Sequence, residues 1–222
     1  GSDSAIGKQE GAGELSFGTA AVGVHLDYFR RTTDDIEIPG FAESARLRAM
    51  EEEEGEVAGE AYGVVENTSS EAQGGAAAIS LTGANGYLGL AVSTYENLYG
   101  IPGHQHEGDG AEEAPVRVDL DQNRVDLEGG YQFAELGDLK VKIASNEYDH
   151  VELEGEAIGT RFLSEGTDVR AEFQHRPFGP VEGAFGVQYK DVDFEAIGEE
   201  AFVPPSTTQQ TSFFIFEEWN PG

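Results

Sequence analysis

Between Tyr99 and Asp109 the chain reads Tyr-Gly-Ile-Pro-Gly-His-Gln-His-Glu-Gly-Asp, bringing His104, His106, Glu107 and Asp109 close together in sequence. Two imidazoles and two carboxylates form the nitrogen and oxygen donor set that suits zinc or another divalent first-row metal. Ligands this close in sequence share one ion only through a tight turn, which Gly103, Gly108 and Gly110 permit. Glu112 and Glu113 follow as further oxygen donors or as solvent-facing charge. The competing reading is a solvated acidic loop with incidental histidines. The chain has no cysteine, so a thiolate site and a disulfide are both excluded.

Other chemistry-bearing residues read more plainly. Glu51 to Glu54 is a solvated charge run. Asp119-Leu-Asp121-Gln-Asn123 opens like a calcium loop, but Arg124 stands where that loop needs glycine and Gly130 where it needs glutamate. Glu152, Glu154 and Glu156 alternate and project from one face, as cation ligands or as a polar flank. Asp149 beside His150 offers an acid/base pair with no serine, threonine or cysteine nucleophile near it in sequence, and no enzyme is expected.

The elements that position these residues are strands. Thirteen basic against 43 acidic residues leave a net charge of -30, which repels phosphate backbones and excludes nucleic acid as a partner while attracting cations. At 222 residues with no linker-like break, one domain is expected. No apolar run reaches the roughly 20 residues of a spanning helix, a test blind to barrel strands.

Alternation places Val22, Val24, Leu26 and Tyr28 on one face and His25 and Asp27 on the other, in a hairpin turning near Gly18 to Ala21. It returns over 74–81 and 87–95 around Asn85-Gly86, a strong hairpin signal. It continues over 116–133, 139–148, 161–176, 181–189 and 210–219. Arg31 to Ser70 reads as a long loop with a short helix around 41–53, and 150–159 and 192–208 as further long connections. Short and long connections alternate across about nine strands, the asymmetry of a transmembrane barrel, and Tyr28, Phe29, Tyr95, Tyr148, Tyr189 and Trp219 read as its aromatic girdle. The fold expected is all-β: an antiparallel transmembrane barrel, partial or shortened, of about 8 to 10 strands with short periplasmic turns and long acidic extracellular loops. A soluble β-sandwich or lipocalin-like barrel is the alternative.

The segments Arg31-Thr-Thr-Asp-Asp-Ile-Glu-Ile-Pro-Gly40, Tyr99-Gly-Ile-Pro-Gly-His-Gln-His106, Tyr148-Asp-His-Val-Glu-Leu-Glu-Gly155 with Gly159-Thr-Arg-Phe162, and Ala196-Ile-Gly-Glu-Glu-Ala-Phe-Val-Pro-Pro205 resemble the barrel of TonB-dependent outer-membrane receptors, in the branch associated with zinc uptake. Gly1-Ser-Asp-Ser-Ala-Ile-Gly7 resembles the close of that family's plug domain. The resemblance implies two parts: residues 1–13 as a plug remnant or flexible N-terminus, and 14–222 as the first part of a barrel of about 22 strands. It implies a receptor in the bacterial outer membrane that captures a metal ion or a metal complex of siderophore type for uptake. Its partners would be that ligand, outer-membrane lipid and the TonB system, acting through a plug domain absent from this chain. No catalytic cofactor is implied, zinc or another divalent metal being cargo. A small self-closing outer-membrane barrel, enzyme or adhesin, and a soluble β-rich binding module are the competing readings.

Overall fold

The computed structural model describes residues 2–54, 61–102, 115–155, 157–198 and 201–220. Its strands are β1 (Ser2–Asp3), β2 (Lys8–Gly18), β3 (Val22–Thr33), β4 (Ile36–Phe41), β5 (Tyr62–Val65), β6 (Ser70–Thr82), β7 (Gly86–Gly100), β8 (Val116–Phe133), β9 (Gly137–Glu154), β10 (Ala157–Phe178), β11 (Val181–Gly198) and β12 (Ser206–Trp219), with one helix, α1 (Ala45–Glu54). All except β4 and β5 form one antiparallel sheet in the order β1-β2-β3-β6-β7-β8-β9-β10-β11-β12. The protein is all-β, as expected, but the sheet is open. β2 and β12 lie towards opposite edges and do not pair, so no closed barrel forms among the described residues.

Period-two alternation gives each long strand two faces, and the register aligns them across the sheet. One hydrogen-bonded row runs Phe17, Val24, Ile79, Leu90, Leu127, Ile143, Val169, Tyr189, Thr211. The row beside it on the same face runs Val22, Leu81, Leu88, Gly129, Val141, Ala171, Val187, Phe213. Neither contains a charged residue. Nothing among the described residues covers them: Ile143 is 38% exposed and Phe213 82%. The opposite face, at the same height, carries ion pairs: Lys140 and Lys142 each 3.0 Å from Glu128, Arg124 2.6 Å from Asp126 and Arg170 2.7 Å from Glu172.

Among the described residues the fully buried apolar side chains are only Ala72 and Val118. The chain exposes 15228 Å², where a compact monomer of its mass exposes about 10,000 Å². Backbone ladders hold this sheet together; burial against a second layer does not.

The register also slants. The row in which the first hairpin closes, Gly18 with Gly23, reaches β12 at Ser212. The hairpin between β10 and β11 closes beside Trp219. From Gly23 to Ser212 there are seven strand-to-strand steps, and from Ser212 to Trp219 seven residues, a stagger of one residue per strand.

Several expectations change. β2 begins at Lys8, inside the segment 1–13 set apart in the sequence, because its ladder to β3 needs no apolar alternation. The connection 34–69 holds α1 as expected and also the pair β4 and β5, whose Pro39 and Gly40 obscure the strand pattern. Most of the expected long connection 150–159 is strand, since β9 runs to Glu154 and β10 starts at Ala157. The aromatic girdle divides: the register puts Tyr28, Tyr189 and Trp219 on the apolar face but Phe29, Tyr95 and Tyr148 on the polar one.

Candidate functional site

His104, His106, Glu107 and Asp109 lie outside the described residues, as do Glu112, Glu113 and Glu156. The base from which their connection leaves is built by a residue the sequence reading passed over. Asn67 takes a left-handed backbone, φ 58°, a conformation asparagine tolerates better than most residues. Its side-chain amide donates to the carbonyls of Ile101 at 2.9 Å and Val116 at 2.7 Å. The Ile101 N–H also donates to Val116 O at 3.0 Å. Gly100 permits this approach, because a Cβ there would meet Asn67 O at 2.2 Å.

The loop holding Asn67 is anchored in turn. The Asp35 carboxylate accepts the N–H groups of Thr68 at 2.8 Å and Ser69 at 2.7 Å. Partial burial pushes its carboxyl up, but these backbone donors outweigh it and hold the group below the usual aspartate range. Segments 34–36 and 65–69 thus meet Ile101 and Val116 at one corner of the rim.

On the polar face near that rim lie Tyr148 and His150 of β9 and Phe162 of β10. The Tyr148 hydroxyl is 3.1 Å from His150 Nδ1, and the His150 ring lies 5.2 Å from that of Phe162. Glu152, two residues along, shares this face with Glu154, as alternation required. Asp149 does not: it points to the apolar side and pairs with Arg161. An Asp149–His150 acid/base pair is therefore ruled out by the period of the strand. Asp119, Asp121 and Asn123 also lie within a strand, β8, on the apolar side. Glu51 to Glu54 end α1.

Further down the polar face is a trough of about 630 Å³ with a floor of small residues, among them Gly23, Ala78, Gly89 and Ala91. On its β2–β3 wall, Ser16 Oγ is 2.7 Å from His25 Nδ1, and His25 Nε2 is 3.0 Å from Asp27 Oδ2. With Asp27 accepting from Nε2–H, Nδ1 is free to accept the serine proton, the order of a nucleophile relay. Sequence spacing missed it because Ser16 and His25 meet only through the hairpin register. The turn near Gly18 was the available signal, since it sets which residues face each other.

Among the described residues no three of His, Asp and Glu converge on one metal-sized point. No described helix is long and apolar enough to cross a membrane, which says nothing of crossing by strands. No protein-family model matches the chain.

Proposed function

We propose that the chain forms part of the barrel wall of a TonB-dependent outer-membrane receptor, capturing a metal ion or metal complex for uptake. The observation that supports this most is the pair of uncharged rows, one through Ile79, Leu90, Leu127 and Ile143 and one through Leu81, Leu88 and Val141, exposed or half-exposed and backed by ion pairs on the other face. That division matches a wall between lipid and an aqueous lumen. A stagger of one residue per strand, about 3.3 Å of rise for each 4.8 Å step, corresponds to a strand tilt of about 35°, in the range of closed barrels. Closure would require further strands beside β2 and β12.

In this reading the bound cation is cargo. It meets the rim first, where His104, His106, Glu107 and Asp109 supply the donors, and inward release needs the plug domain of the family. The location is the bacterial outer membrane, with lipid against the uncharged rows.

Leu90→Arg and Ile143→Arg test the lipid contact. Each should cost about 2–4 kcal/mol in unfolding from phospholipid vesicles, the cost of arginine near a bilayer midplane. Unfolding unchanged by both substitutions would sink the wall assignment.

The Ser16–His25–Asp27 relay favours a second reading, a barrel that is an enzyme. A serine-directed fluorophosphonate should then label the chain and fail to label Ser16→Ala; absence of labelling removes that reading.

A further inference from the structure

We infer that His150 and Glu152 hold a divalent first-row metal ion on the polar face. His150 Nδ1 is engaged by the Tyr148 hydroxyl, but Nε2 is buried and has no hydrogen-bond partner. Its nearest charged neighbour is Glu152 Oε1 at 3.9 Å, too far for a hydrogen bond. Two donors each about 2.1 Å from one tetrahedral zinc ion stand about 3.4 Å apart, so the observed gap closes with a small side-chain movement.

An orphaned imidazole nitrogen is unusual, because buried polar groups nearly always find partners. An ion between His150 Nε2 and Glu152 would satisfy it. The surroundings have the form of an outer shell: the Tyr148 hydroxyl can accept from Nδ1–H, the tautomer that leaves Nε2 to bind metal, while Tyr148 and Phe162 confine the ring. The register shift between Ile158 and Thr160, at Gly159, is a bulge of the kind that re-aims a neighbouring side chain. With one imidazole and one carboxylate, the site would leave positions open for water, as suits an ion that must be passed on.

The biological role, a station for captured metal below the rim, rests on the receptor reading; the binding itself does not. The experiment is calorimetric titration of zinc alone into the full chain refolded in detergent micelles. The comparison chains are His104→Ala/His106→Ala, His150→Ala and Glu152→Gln, with circular dichroism as the folding control. The loop double variant should keep one equivalent of zinc. His150→Ala and the shape-preserving Glu152→Gln should each weaken that equivalent at least tenfold. In the unsubstituted chain, nitrogen-15 chemical shifts should show zinc at His150 Nε2 and not at Nδ1. Zinc binding unaltered by Glu152→Gln, with no shift at His150, overturns the site while leaving the rim histidines and the receptor reading intact. Absence of zinc binding in the unsubstituted chain overturns the site and removes metal capture by the loop as well. The lipid-contact test remains separate from both outcomes.

Discussion

Asp35 shows how much of the rim depends on single side chains. Its carboxylate closes the turn of 67–69 through two backbone N–H groups, and those donors lower its proton affinity in the folded chain. A folded pKa below the unfolded value of about 3.9 means the contribution to stability is present above that value. It is lost as pH falls through the lower, folded pKa. Protection factors for the Thr68 and Ser69 amides should hold from neutral pH to about pH 4 and drop below it. In Asp35→Asn the pH step should vanish. A step that persisted in that variant would assign it to another carboxylate. Asp35 was not legible in advance, because its partners are backbone groups more than thirty residues away and leave no mark in the pattern of side chains.

At the scale of elements, what could be read in advance was whatever the period of a strand determines by itself. Val22, Val24, Leu26 and Tyr28 share a face, and Asn85-Gly86 marks a hairpin, because both facts are local. What escaped depends on register or on backbone pairing. Lys8 to Gly13 continues β2 through its ladder; Phe29, Tyr95 and Tyr148 sit on the polar side by parity; Ser16 reaches His25 across a turn. The two histidines of the 99–109 stretch stood out by residue type, yet Asn67, which joins Ile101 to Val116, looked like any loop asparagine. Asn67→Ala removes two donors from the base of that connection and leaves the Ile101 carbonyl without this partner. Each lost bond to a part-buried acceptor costs about 1–3 kcal/mol. Amide exchange at Ile101 and Arg117 should therefore speed up at least tenfold, with β9 to β11 unaffected. Unchanged exchange would mean that the backbone bond from Ile101 to Val116 suffices to hold the base.

Over the whole molecule, charge is sorted by height as well as by face. On the apolar side the uncharged rows give way towards the long-loop end to Glu96, Asp121, Glu147, Glu165, Asp191 and Asp193. On the polar side charge runs the full height of the sheet. A soluble sandwich would bury one face against a second sheet, and among the described residues no second sheet covers either face. This arrangement also bears on the edges. In the receptor reading the side chains of rows such as Ile79, Leu90 and Leu127 would meet hydrocarbon, but among the described residues the outer backbone edge of β12, from Ser206 to Trp219, has no neighbour. In the barrel-wall reading each unpaired N–H or C=O would cost several kcal/mol in a bilayer, so entry and the pairing of the two borders would occur as one event. The order of that reaction would then depend on where the closing strands come from: first order in chain if they are covalently attached, higher order if another molecule must supply them.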